Sequence, residues 1–103
     1  NPYLALAVML TAGLDGIKNQ TEPPAAVDRN IYRMDEAERA ALGIGSLPGN
    51  LLEALYELDK DELIKSALGN HIYEKFRQGK LEEWEEYNIQ VTDWEVKNYL
   101  TKF

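Results

Sequence analysis

The opening segment, NPYLALAVMLTAGLDGIKN over residues 1–19, is apolar in nearly every direction around a helix, and between Tyr3 and Lys18 it offers only Thr11, Asp15 and Lys18 as strongly polar side chains. A helix that is hydrophobic all round belongs inside a larger protein or a membrane. The uninterrupted apolar run, Tyr3 to Leu10, is far short of the roughly 20 residues a bilayer span needs. The expectation is therefore a helix enclosed by protein on every side, in a chain that starts in the middle of something larger. Asn1 supplies a side-chain cap and Pro2 fits the first helical position, where its missing N–H costs nothing. The helix is expected to run to about Gly16 or Lys18.

The pattern then changes. Pro23-Pro24 forbids helix between Asn19 and Asn30, which reads as an ordered loop ending at Tyr32. Asp35 with Glu38 has capping-box spacing and Gly43 is a helix stop, predicting a short helix over Glu36 to Leu42. Asn50 with Glu53 repeats that spacing before Leu51, Leu52, Leu55 and Leu58, which share a face of a helix over roughly 51–58. Asp59 or Asp61 restarts the chain into a helix burying Leu63, Ile64, Ala67 and Leu68, closed at Gly69. From Asn70 to about Val91, Ile72, Tyr73, Phe76, Trp84, Tyr87 and Val91 recur at helical spacing among charges. Thr92 with Glu95 caps a last helix beginning at Asp93. Sustained alternation of period two and internal repeats are both lacking, so the sequence reads as all-α with about six helices.

Composition narrows the partners more than the fold. The chain has 103 residues with 11 basic and 18 acidic side chains, a net charge of −7, which disfavours nucleic acid and anionic membrane surfaces because phosphate binding is driven by Lys and Arg. With no cysteine, it contains neither a disulfide scaffold nor a thiolate metal site. A signal-peptide pattern is not seen, and the expected location is the cytoplasm.

Individual residues offer little reagent chemistry. His71 is the sole histidine; Glu74 lies three residues on, in a chain rich in acids, and a structural role is expected. Glu82, Glu83, Glu85 and Glu86 flank Trp84, and carboxylates can take Mg2+ or Ca2+. The expected arrangement is instead a solvated helix face around a buried tryptophan. Gly43-Ile44-Gly45 is a helix stop and turn, not a nucleotide loop. The tail is the exception: Trp94, Val96, Tyr99, Leu100 and Phe103 crowd a chain end that would otherwise fray, so they must dock on something. A free-standing helical interaction module is one reading of such a chain, but the first helix lacks the polar stripe an independent small domain would show.

Ordered landmarks point elsewhere. The Asn1-Pro2-Tyr3-Leu4-Ala5 opening through Ala12-Gly13-Leu14-Asp15-Gly16-Ile17-Lys18-Asn19 resembles the segment opening the C-terminal part of the catalytic domain in type I, bacterial glutamine synthetases. Asp28-Arg29-Asn30-Ile31-Tyr32, Gly45 to Leu51, Glu53-Ala54-Leu55, Ala67 to His71, and Gln90 to Glu95 resemble later landmarks of that family in the same order. The resemblance implies that residues 1–103 are the helical C-terminal piece of a larger α+β catalytic domain. It implies a parent ligase that joins glutamate and ammonia with ATP through γ-glutamyl phosphate, using Mg2+ or Mn2+. The family's metal ligands and phosphate-binding arginines precede the Asn-Pro-Tyr motif, so no catalytic, metal or cofactor residue transfers to this chain, and the chain alone is expected to be inactive.

Two further expectations follow from the family. Asn30-Ile31-Tyr32 is similar to the Asn-Leu-Tyr at which one subgroup is adenylylated, which makes Tyr32 a candidate modification site. That subgroup continues Asp-Leu-Pro where this chain has Arg33-Met34-Asp35. The later landmarks are closer to the feedback-inhibited, non-adenylylated subgroup, in which Tyr32 would be a half-buried ring beside Pro23 and Pro24. The family's subunits form a dodecamer of two stacked hexagonal rings, and its C-terminal helix enters a hydrophobic hole across the rings. Here residues 92–103 would be that docking helix, with Trp94, Val96, Tyr99, Leu100 and Phe103 as the inserted side chains.

Overall fold

The computed structural model describes residues 1–100 and Lys102. Six α-helices occur in chain order: α1 (Pro2–Lys18), α2 (Glu36–Ala41), α3 (Leu51–Lys60), α4 (Glu62–Leu68), α5 (Asn70–Asn88) and α6 (Asp93–Tyr99), with a 3-10 turn at Ile31–Arg33 between α1 and α2. The described residues include no strand.

Local hydrogen bonds explain where the helices begin. Asn1 Oδ1 accepts from the Tyr3 and Leu4 N–H groups, and Pro2 sits in the first turn of α1. At α2, Asp35 accepts from the Glu38 N–H at 2.8 Å while Glu38 accepts from the Asp35 N–H at 3.2 Å, a complete capping box. At α3, Asn50 accepts from the Glu53 N–H, but Glu53 reaches one residue further back, to the Gly49 N–H at 2.7 Å. Asp61 caps α4 by accepting from the Ile64 N–H. Asp59 stays inside α3 and does other work. The α4–α5 junction is a single residue, Gly69, at φ +73° and ψ 152°, a backbone shape effectively reserved for glycine.

Packing is confined to one patch. α1 lies along α4, and α3, α4 and α5 pack on one another; α6 makes at most a marginal contact with any other helix. Among the described residues only Met34 and Leu55 are buried, at 7% and 2% exposure. The molecule extends over 60 × 41 × 21 Å with a radius of gyration of 18.9 Å, where a compact chain of this length would have about 13 Å. Its accessible surface is 9062 Å², roughly 3,000 Å² more than a compact protein of 11.7 kDa exposes.

The described chain does not itself enclose α1: Leu4, Val8, Thr11, Asp15 and Gly16 are half-covered, because α4 is a single short helix and shields one side. Two expectations are corrected by this geometry. On α5 the covered stripe runs Tyr73, Arg77, Leu81 and Trp84, leaving Ile72 and Tyr87 exposed and Trp84 half-buried. The cause is length: at 1.5 Å per residue α5 is about 28 Å long and α3 about 15 Å, so α3 covers one strip of it. Finally, α5 stops at Asn88, and Val91 is exposed beyond it.

Candidate functional site

The feature most prepared for an external contact is α6. Its start is fixed by a second full capping box. Glu95 accepts from the Thr92 N–H at 2.7 Å and from the Thr92 hydroxyl at 2.9 Å, while the Thr92 hydroxyl oxygen accepts from the Glu95 N–H at 3.3 Å. These bonds from Thr92 hold the Glu95 carboxyl below its ordinary value, so the cap is intact at neutral pH. Along the helix, Trp94 and Tyr99 meet edge to face with ring centroids 5.8 Å apart, and the Lys102 ammonium lies 5.6 Å from the Tyr99 ring centre. Asn98 donates its side-chain N–H to the Trp94 carbonyl at 2.8 Å.

Four of the five expected docking residues, Trp94, Val96, Tyr99 and Leu100, are exposed on this pre-formed helix, and Val91, Val96, Tyr99 and Leu100 line an open hollow on it. Phe103 lies outside the described residues. Tyr32 sits on the 3-10 turn and is 95% exposed, so the half-buried ring beside Pro23 and Pro24 is not what forms; both prolines are exposed as well. Asn30 caps that turn by accepting from the Tyr32 N–H, which fixes the backbone and leaves the ring free. His71 is exposed in the first turn of α5.

A polar cluster that sequence reading missed ties the packed helices together. Asp59 accepts from the Tyr73 hydroxyl at 2.6 Å and from Arg77 Nε at 2.9 Å, and Lys65 donates to the Asp59 backbone carbonyl at 2.9 Å. The Arg77 and Tyr73 bonds hold the Asp59 carboxyl below its ordinary value; donation to Asp59 raises the Tyr73 hydroxyl. Every member is already partnered, so the cluster clamps α3 and α4 to α5. The four-residue spacing of Tyr73 and Arg77 was the available signal, but its partner lies on another helix.

Glu82, Glu83, Glu85 and Glu86 are exposed; Lys80 pairs with Glu83 and Gln78 donates to Glu82. Among the described residues no group of three His, Asp or Glu side chains is placed to hold a metal ion. An apolar cleft of about 290 Å³ opens between α1 and the packed helices, lined by Leu4, Val8, Leu58, Ile64, Leu68 and Phe76. Among the described residues no helix is long and apolar enough to cross a membrane.

Comparison with known proteins extends the picture. A family model described as glutamine synthetase, catalytic domain, matches residues 1–99. Glutamine synthetase of Clostridium saccharobutylicum is 52% identical over 103 residues, covering 100% of this chain and 23% of that protein. The enzymes of Methanocaldococcus jannaschii and Thermotoga maritima are each 53% identical over 100 residues, covering 97% of this chain and 22% and 23% of theirs. The chain thus spans less than a quarter of the length of these relatives. Among solved structures, GmaS in complex with ADP superposes with a TM-score of 0.81 at 38% identity, over 97% of this chain and 22% of that one. GmaS without ligand gives 0.78, over 98% and 23%.

Proposed function

Because the chain belongs to the glutamine synthetase catalytic-domain family, we propose that it serves as the C-terminal structural and oligomerisation part of a glutamine synthetase. The parent enzyme would make glutamine from glutamate and ammonia with ATP hydrolysis, through γ-glutamyl phosphate. Residues 1–103 form the helical end of its catalytic domain, and 92–103 its docking helix. ATP and Mg2+ or Mn2+ are bound by other parts of the parent, in keeping with the ligand-poor chemistry of this chain and with the ADP complex of GmaS.

The observation that carries the reading is a capped helix with its apolar side chains held in water. α6 carries its own cap, yet Trp94, Val96, Tyr99 and Leu100 are exposed. Burying three large side chains yields several kcal/mol, at about 1.5 to 3 kcal/mol each. Pre-formation removes part of the ordering cost that docking would otherwise carry. The receiving surface is a hydrophobic hole on a subunit of the opposite ring in a cytoplasmic homododecamer, and neither nucleic acid nor membrane is a partner. Regulation follows the feedback-inhibited subgroup: Tyr32 is accessible, but Arg33-Met34-Asp35 departs from the sequence that follows the adenylylated tyrosine. A mass gain of one AMP on Tyr32 in protein from its native cell would reverse that assignment.

Deleting residues 93–103 from a glutamine synthetase that carries this segment tests the proposal. Mass photometry is expected to show dodecamers giving way to single hexameric rings; an unchanged dodecamer overturns the docking role. The isolated chain, given glutamate, ammonia and ATP, is expected to make no glutamine, and product formation would refute the division of labour.

A further inference from the structure

At seven residues, α6 is well below the roughly 12 to 15 at which an isolated helix is even marginally stable in water, so its helix content depends on how its ends are held. The Thr92–Glu95 capping box holds the first turn through three hydrogen bonds, two of which need the Thr92 hydroxyl. Thr92 itself takes no part in the apolar surface: the hollow on α6 is lined by Val91, Glu95, Val96, Tyr99 and Leu100. We infer that Thr92 is a positioning residue for ring assembly, its cap keeping α6 helical before it docks and thereby setting how tightly the two rings of the parent enzyme hold together. The inference rests on the docking reading of residues 92–103.

The docking surface exists only while the helix does. At roughly 100° per residue, Val96, Tyr99 and Leu100 fall within about 100° of one another around α6, whereas in an extended chain Tyr99 and Leu100 would point to opposite sides. The Asn98 bond to the Trp94 carbonyl and the edge contact between Trp94 and Tyr99 also require the helix to be formed, so they add to the cap and do not replace it. Without the Thr92 hydroxyl, the Glu95 N–H loses its partner and the Glu95 carboxylate keeps only the Thr92 N–H. Losing such a cap typically shifts a helix equilibrium about fivefold. Affinity for a partner falls with the fraction of molecules in the competent form, and the factor compounds over the tails that dock together.

The test uses a glutamine synthetase that carries this segment, diluted in steps and followed by mass photometry, with the amide exchange of residues 94–99 measured in the 103-residue chain. Thr92→Ala is expected to raise the concentration at which dodecamers half-dissociate by about fivefold or more, and to speed that exchange. Intact single rings will show that the variant folds. Thr92→Ser and Thr92→Asn keep a capping oxygen and are expected to behave as the unsubstituted protein in both measurements. A half-dissociation concentration unmoved by Thr92→Ala, a shift without faster exchange, or a failure of Ser and Asn to restore stacking would overturn the inference. Removal of residues 93–103 separates the two ideas: if it splits the rings while Thr92→Ala does not, docking stands and the role of Thr92 falls; if it leaves dodecamers whole, both fall.

Discussion

Replacing Leu55 by alanine tests where the stability of this chain resides. Leu55 is the most enclosed side chain among the described residues, 2% exposed on the inner face of α3, beside the half-buried Leu51, Leu52 and Leu58. Truncation removes three carbons, worth about 2.4 kcal/mol at roughly 0.8 kcal/mol per buried methylene, before any cavity term. In well-packed cores the same change costs about 2 to 5 kcal/mol, less where neighbours can collapse into the space. With solvent close on several sides of this patch the lower half applies, about 2 to 3 kcal/mol. For a domain of this size that lowers the melting temperature by roughly 10 to 20 °C. Circular dichroism at 222 nm through a thermal ramp measures it, with Leu47→Ala as the comparison, since Leu47 is 91% exposed and its loss is expected to stay within about 0.5 kcal/mol. Equal melting temperatures for the two variants would refute the view that one small patch between α3, α4 and α5 holds the fold.

Other expectations rest on single residues. Asp59, Glu38 and Glu95 are all held below their ordinary values of 3.8, 4.5 and 4.5 by the hydrogen bonds they accept, so each contributes stability above those values that is lost as pH falls through and below them. The melting temperature should therefore be flat near neutrality and fall below about pH 4, with a shallower fall in Asp59→Asn. Gly79→Ala, in an open position inside α5, should stabilise the chain by up to about 1 kcal/mol in urea titrations. Gly69→Ala should destabilise it by about 1 kcal/mol or more, because alanine does not adopt φ +73° without strain. Thr92→Ala should cost α6 about 1 kcal/mol of helix stability, read from the amide exchange of residues 94–99, while the global melt barely moves.

Helix boundaries were legible because their causes are local. Asp35 with Glu38, Asn50 with Glu53, and Thr92 with Glu95 are three residues apart, and the side chain that satisfies each free N–H is visible in the same short window. The Asp59 clamp was illegible for the converse reason: its partners are 14 and 18 residues away, and their meeting depends on the bend at Gly69. Spacing on α5 identified an apolar pattern but not which part of it would be covered. That depends on the reach of α3, so Arg77 and Lys80 lie on the covered side while Tyr87 is bare. For α6 the aromatic crowding was visible, and the structure adds that the helix stands without support.

Two kinds of interaction with different reach explain why the chain is ordered yet open. Caps act within three or four residues and make each helix a unit whether or not it is packed, as α6 illustrates. Apolar faces act between helices, and here they are matched only where α3, α4 and α5 meet, with α1 added along a single stripe. The Asp59 cluster adds direction-specific hydrogen bonds to that meeting, which helps a chain with two buried side chains among its described residues keep a defined helix arrangement. Unmatched faces are left on opposite kinds of element: a long, almost charge-free helix at one end and a short, capped aromatic helix at the other. The first gains most from a large surface laid along it; the second fits a pocket that takes a few anchors. One partner surface therefore does not serve both.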